Sequence, residues 1–311
     1  MTVATPPASH LFIDSTDLLG DPVALRERGE AEGYLFFRKL IPDQAILEVR
    51  KDLLGVVDRH GWRKPGQGPL GGAIDGEALA RVPNDKMRED IGVSHDAYHD
   101  VQKLQSVHRL PHHPKLIDLY RTLFGEEVLA HPRHIIRMVT NHPVMFPTPP
   151  HQDYPLIQGT SNTWTCWFPI GDCPRSMGSL TVLRQSHRLG YVPIEPAQGA
   201  GGLAVQLCPT ENQWVEGDFE IGDVLTFPSY TVHKALRTQS PGEIRLSFDV
   251  RYQPMSEIVE PGSLNPHCGL TWEQIYEGWT DRELQYYWKQ LPLKLSTFDH
   301  ALLKFGGRRI C

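Results

Sequence analysis

Cysteine is scarce and scattered in this chain. The five, Cys166, Cys173, Cys208, Cys268 and Cys311, form no C-x-x-C pair. That spacing argues against a zinc ribbon, a thioredoxin-type redox motif and a disulfide framework. No apolar run comes near the ~20 residues that a membrane helix needs. The opening MTVATPPASHLFIDSTD has no basic segment followed by an apolar one, so no secretory signal is expected. The closing GGRRIC matches neither a CaaX box nor an SKL tail. Basic charge is not in excess: 31 Lys and Arg face 37 Asp and Glu, a net charge of −6. A nucleic-acid-binding surface therefore finds no support. There is no internal repeat of roughly 20–50 residues and no low-complexity stretch. The expectation is a soluble cytoplasmic protein with neither a membrane nor a nucleic-acid partner.

What is present suggests a turn-rich β fold. The 311 residues include 27 Gly and 26 Pro, and 40% are hydrophobic against 22% charged. A chain of that size and composition can bury a full core without disulfides or structural metal. Val23 to Glu32 reads as a short helix, Tyr34 to Arg38 as a strand, and Pro42 to Arg59 as a longer helix. In the last, Ile46, Val49, Leu53 and Val57 share one face, and Pro42 suits a first turn. Residues 64–94 are rich in glycine and charge and read as a long loop, while Lys115 to Phe124 reads as a second amphipathic helix stopped at Gly125.

From about 133 to 254 short β-rich runs recur between turns: 134–139, 163–170, 179–184, 224–227 and 244–252. After 270 the period is helical again, with Trp272, Ile275, Tyr276 and Trp279 on one face. That stripe is read first as a docking face for the tail, with a dimer seam as the alternative. The chain is expected to be one domain over 1–311, with a helical N-terminal layer at about 20–125, a β core at about 130–255 and a helical tail at about 270–305.

Most of the 15 histidines are unremarkable in context. His95 and His99 are spaced like a helical metal pair but lack a third ligand, and His112-His113 lies between prolines and reads as a turn. His151-Gln152-Asp153 carries more weight because of what surrounds it. It follows a proline-rich approach, His233 comes later just beyond a GDVLTF strand, and Arg245 opens the strand IRLSFDVRY. Two imidazoles and a carboxylate on one face of an octahedral ion form the facial triad of non-heme iron oxygenases, which leaves three positions open. In a strand His151 and Asp153 would point the same way. Arg245 offers a planar fork for a carboxylate, and Ser247 shares its strand face. Asp249 and Arg251 lie on that face too, opposite the apolar Leu246, Phe248, Val250 and Tyr252. If the polar face lines a site, both charges must be inward and paired.

Taken in order, the features resemble the phytanoyl-CoA dioxygenase family. They are H-Q-D; then W-x₄-D-x₅-G-x-L (Trp167, Asp172, Gly178, Leu180); then Ser186-His187; then G-D followed by a lone His and an Arg. GYLFFRKLIP at 33–42 is similar to that family's N-terminal strand and turn, so the likeness covers about 33–254. The resemblance implies a double-stranded β-helix, or jelly-roll, core flanked by helices. It also implies Fe(II), 2-oxoglutarate and O₂, with oxidation of a small organic molecule, usually hydroxylation, and release of succinate and CO₂. By position His151, Asp153 and His233 would hold the iron, Arg245 the distal carboxylate of 2-oxoglutarate, and Trp167 would stand beside the co-substrate; Ser247, by its place on Arg245's strand face, could add a hydrogen bond there. No side chain beyond the metal ligands is expected to act in catalysis. Asp172, Gly178 and His187 read as turn residues.

The chain departs from the family where Arg184-Gln185 precedes Ser186-His187 and where Lys234 follows His233; neither departure touches a ligand. Related halogenases replace the carboxylate by a small residue, and Asp153 is retained. Two other readings use the same fold: a catalytically silent small-molecule-binding protein, and a cupin-like metalloenzyme needing no 2-oxoglutarate. The complete ligand set argues against the first and Arg245 against the second. The substrate itself is not legible; loops 64–94, 141–150 and 190–216 are its expected selectors, and the protein would work as a monomer or homodimer.

Overall fold

The computed structural model describes residues 10–310 apart from Glu89, Asn141, Val144, 209–212, Pro241 and 306–308. The first nine residues and Cys311, which enter the targeting expectations, lie outside the described residues, as do those parts of the three selector loops.

In chain order the elements begin with β1 (His10–Leu11), α1 (Pro22–Glu32), β2 (Leu35–Phe37), α2 (Asp43–Arg59), α3 (Gly76–Ala80), α4 (His95–Gln102), α5 (Gln105–Arg109) and α6 (Pro114–Phe124). The β region follows with β3 (Val128–Ala130), β4 (Ile135–Val139), α7 (Tyr154–Ile157), β5 (Trp164–Pro169), β6 (Leu180–Leu183), β7 (Ile194–Pro196) and β8 (Leu203–Leu207). It continues through β9 (Trp214–Glu216), β10 (Val224–Pro228), β11 (His233–Ala235) and β12 (Arg245–Pro254), and the tail holds α8 (Trp272–Ile275).

Local chemistry accounts for the helix ends. The Asp21 carboxylate accepts from the backbone N–H groups of Val23 and Ala24, and Gly33 closes α1 at φ 80°. Helix α6 stops at Gly125, at φ 75°. Helix α2 buries Ile46, Val49, Leu53 and Val57, the expected face. The region read as one long loop carries a short helix of its own, α3, capped by Asp75.

Two sheets form the core. The larger runs β2-β10-β5-β12-β3, with β4 also on β12; the smaller runs β1-β9-β6-β11. Strand alternation divides the larger sheet into two faces. Leu246, Phe248, Val250 and Tyr252 of β12, with Cys166 and Phe168 of β5, join a cluster containing Ile46, Val49 and Leu53 of α2 and Leu116 and Leu119 of α6. The opposite face contributes Phe36, Trp167, Leu225 and Phe227, which pack with Leu180, Val182 and Val215 of the smaller sheet. The helices thus cover the apolar side of β12 and turn its charged side into the barrel.

The tail is less helical than its period suggests: α8 is four residues long, and short 3₁₀ turns follow. Trp272, Ile275 and Tyr276 are buried with Leu129 and Val259, and the indole N–H of Trp279 donates to the Lys103 carbonyl at 2.8 Å. The stripe docks on its own chain, so its apolar face is not offered as a dimer seam. Cys166, Cys173 and Cys268 are free and Cys208 is disulfide-bonded, so wide spacing did not exclude a single cross-link. No helix among the described residues is long and apolar enough to cross a membrane.

Candidate metal centre and co-substrate pocket

The two histidines meet through their own backbones. His151 N–H donates to the His233 carbonyl at 3.0 Å and His233 N–H returns to the His151 carbonyl at 2.9 Å. This isolated antiparallel pair sets the rings 4.1 Å apart between centroids. Asp153 arrives by a different route from the expected one. The chain leaves extended geometry after His151 and bends into α7, with Asp153 at φ −74° and ψ −32°. A helical turn, not strand alternation, therefore brings its carboxylate to 3.9 Å from His151 Nε2. One donor atom from each of His151, Asp153 and His233 lies within 4.8 Å of the others, and all three residues are buried.

Hydrogen bonding aims these donors. His151 Nδ1 lies 2.8 Å from the Pro149 carbonyl, and His233 Nδ1 lies 3.0 Å from the Thr231 carbonyl. A carbonyl only accepts, so each neutral ring carries its proton on Nδ1 and keeps a lone pair on Nε2. Burial depresses both imidazoles, His151 to about 3, with His233 adding to the effect there and Asp153 opposing it. For His233 burial again leads, with Asp153 opposing. Burial works against the Asp153 carboxylate, yet Arg251 and the two histidines, in that order, hold it well below the usual carboxylate range. The result is two neutral nitrogen donors and one anionic oxygen donor.

The inner face of β12 completes the wall. Arg245, Ser247, Asp249 and Arg251 are all buried, with Arg245 only 4% exposed. Asp249 pairs with Arg137 of β4 at 2.6 Å, and Arg251 reaches Asp153 Oδ1 at 3.2 Å. Both charges are inward and paired, as the strand's alternation requires. Arg245 has no carboxylate within ion-pair distance among the described residues; its Nη1 donates to the Gly178 carbonyl. Four buried polar atoms here have no protein partner: Arg245 Nε, Ser247 Oγ, Trp167 Nε1 and Arg251 Nε. Trp167 is fully buried and packs edge-on against Phe219 at 4.7 Å.

One cavity is lined by His151, Asp153, Trp167, His233, Arg245 and Arg251, among others, whereas Ser247 is buried beside it without lining it. A second cavity shares Arg137, Thr148, Ala235 and Arg245 with it and extends along Met145, Phe146 and Leu236. Among the described residues of the expected selector loops, 141–150 lines this outer cavity, 64–94 contributes Asp90, and 190–216 lines neither.

The other motif residues are supports. Gly178 sits at φ 84° and a Cβ there would meet the Leu236 carbonyl oxygen at 2.7 Å, so glycine is required where Arg245 is received. Asp172 accepts from Ile221 N–H, and the Ser186 hydroxyl accepts from Val232 N–H, beside His233. Gln152, between two of the donors, points away and ties the carbonyls of Gly190 and Tyr230. His187 faces Glu30 at 3.6 Å, outside the cavity. The sequence reading missed Thr165, whose hydroxyl donates to Asp153 Oδ2. Its place two residues before Trp167, on the same strand face, was the available signal.

Comparison with known proteins agrees with this architecture. A curated relative, the 1-deoxypentalenic acid 11-beta-hydroxylase of Streptomyces exfoliatus, is 26% identical over 269 residues, covering 82% of this chain and 89% of the relative. The carbocyclase SnoK from nogalamycin biosynthesis, described as non-heme and alpha-ketoglutarate dependent, superposes with a TM-score of 0.52 at 18% identity, covering 80% of this chain and 89% of that one. The epimerase SnoN, solved with Fe3+, alpha-ketoglutarate and nogalamycin RO, gives 0.50 at 19% identity, covering 80% and 89%. At these identities the structural matches speak for the fold, a jelly-roll core with flanking helices. Residues 29–247 match the family description Phytanoyl-CoA dioxygenase (PhyH), so the chain belongs to the phytanoyl-CoA dioxygenase family.

Proposed function

We propose that the protein is an Fe(II)- and 2-oxoglutarate-dependent dioxygenase that oxidises a small organic molecule, by hydroxylation, with release of succinate and CO₂. One observation carries the reading. The buried space between the two sheets presents three convergent metal donors and, beside them, four buried polar atoms without a protein partner. Buried polar atoms are rarely left unsatisfied, so such a set fits a polar ligand of matching shape.

In this reading His151 Nε2, His233 Nε2 and Asp153 hold the ion, and the open Nε edge of Arg245 takes the distal carboxylate of 2-oxoglutarate. Ser247 Oγ and Trp167 Nε1 donate to the same molecule. Iron and the co-substrate would supply the activation of O₂. The chain's own work is to orient these partners and to keep water out, through Leu180 of the smaller sheet and Phe227 of the larger, both lining the cavity. The substrate would enter through the outer cavity. Because the 2-oxo acid is an intracellular metabolite, the reading has the enzyme working in the cytoplasm, as one oxygenase domain, alone or as a homodimer.

The test is anaerobic loading with Fe(II) and 2-oxoglutarate, then exposure to O₂ with a fractionated metabolite pool. Succinate release that needs all three additions and is stimulated by one fraction supports the reading. Loading without any 2-oxoglutarate consumption would favour a silent binding protein.

A further inference from the structure

We propose that Arg251 and Thr165 are positioning residues that clamp Asp153, so that it gives a cation one oxygen and only part of its charge. The proposal rests on the oxygenase reading above and deepens it.

The two oxygens of Asp153 are held by different partners. Oδ1 is the atom 3.9 Å from His151 Nε2, and Arg251 Nη2 lies 3.2 Å from it. Oδ2 accepts the Thr165 hydroxyl. Arg251 and Thr165 are direct partners across β12 and β5, so the clamp is set by the register of the central sheet and not by a loop. All three side chains are buried. The nearby Arg137 is already paired with Asp249 at 2.6 Å. Asp153 is the carboxylate within ion-pair distance of Arg251 among the described residues.

Two consequences follow. A carboxylate that chelates through both oxygens occupies two coordination positions, and a facial triad works with three left open. Thr165 holds Oδ2 back and so keeps a position free. A guanidinium beside the donor oxygen offsets the carboxylate's charge, in a buried site where charges interact strongly. The cation is then held less tightly but keeps more of its own charge for an incoming dianion, which 2-oxoglutarate is. Removing Arg251 should therefore move two affinities in opposite directions. An arginine that served only to support the fold would weaken both.

The experiment uses the full chain and Mn(II) as the probe ion, titrated by calorimetry, followed by 2-oxoglutarate into the Mn(II)-loaded protein, with circular dichroism to check folding. For Arg251→Leu we expect Mn(II) to bind about tenfold tighter and 2-oxoglutarate about tenfold weaker. Arg251→Lys keeps the charge and should stay within about threefold of wild type in both. Thr165→Val should leave Mn(II) within about threefold and weaken 2-oxoglutarate about tenfold, because Oδ2 is released to chelate. Both affinities falling together in Arg251→Leu, or neither moving, would overturn the clamp. Should Arg251→Leu fail to fold, unchanged 2-oxoglutarate binding in Thr165→Val overturns it instead. A wild-type protein that takes up no Mn(II) would overturn the oxygenase reading and the clamp with it, whereas the variant results bear on the clamp alone.

Discussion

Among the described residues, two clusters bring three metal-type donors within 4.8 Å of one another: His151, Asp153 and His233 in the barrel, and Asp90, His267 and Cys268 outside it. Proximity does not separate them; the engagement of their remaining atoms does. In the barrel each imidazole spends its Nδ1–H on a carbonyl and keeps Nε2 for the centre. In the outer cluster the Asp90 carboxylate is gripped bidentately by Arg88, at 2.8 and 2.6 Å. His267 Nδ1 lies 2.9 Å from the Tyr98 hydroxyl and 3.1 Å from Cys268 Sγ. Burial drives the His267 imidazole down to about 3, and Arg133, Arg88 and Arg137 add to that effect while Asp90 opposes it. The barrel cavity also faces three guanidiniums, those of Arg137, Arg245 and Arg251, but sets Asp153 and Asp249 against them, where the three around His267 meet Asp90. Donor count alone would rank the clusters equal, whereas hydrogen-bond accounting prefers the barrel.

The sharpest way to break this comparison is to remove one donor from each cluster. Asp153→Ala and His233→Ala should lose bound iron entirely, whereas His267→Ala should retain wild-type stoichiometry by elemental analysis. Equal loss in all three would make the two clusters equivalent. The next effect concerns the co-substrate. Arg245→Ala removes a charge-assisted fork worth roughly 1.5–3 kcal/mol, about 10- to 150-fold in the 2-oxoglutarate requirement. Arg245→Lys should recover only part, since a point charge cannot replace the fork. An unchanged requirement in Arg245→Ala would move the anchor to Arg137 or Arg251.

A separate effect, on stability instead of ligand binding, belongs to the histidines under the tail. Burial holds His108, His112 and His131 down at about 4, and depresses His134 further. All four are neutral in the fold, while in the unfolded chain each would titrate near 6.5. The unfolded state therefore binds more protons as pH falls below about 6.5, and folding stability drops from there toward pH 4. Each histidine held neutral in the fold steepens that fall. Above pH 7 this contribution should be flat. Urea titrations between pH 4.5 and 7.5 measure it, and a pH-independent midpoint over that range would contradict the neutral burial.

Much of this was legible in the sequence, for identifiable reasons. Arg245, Ser247, Asp249 and Arg251 alternate with Leu246, Phe248, Val250 and Tyr252, and period-two alternation is a backbone property that tertiary context only has to orient. The apolar face of α2 was readable because its spacing repeats over several turns. His151 and Asp153 do converge with His233, but by a different local route from the one expected. Strand alternation and a bend from an extended residue into a helix start can each bring residues two apart onto one centre, and Tyr154-Pro155, which follows the bend, carries no strong signal by itself. The outer cluster could not be read, because Asp90 and His267 are joined only by the fold and the intervening spacing is arbitrary. Thr165 was missed because a hydroxyl in a β-branched run reads as ordinary strand composition.

The central claim is that the barrel cluster, and not the outer one, is the metal centre, with a carboxylate seat at Arg245. A crystal grown anaerobically with Mn(II) and 2-oxoglutarate, and measured for anomalous scattering, tests both halves at once. One anomalous peak between His151 Nε2, His233 Nε2 and Asp153, with a carboxylate of the bound 2-oxo acid at Arg245, is the predicted result. A peak at Asp90, His267 and Cys268, or density that leaves Arg245 Nε without a ligand, would contradict it.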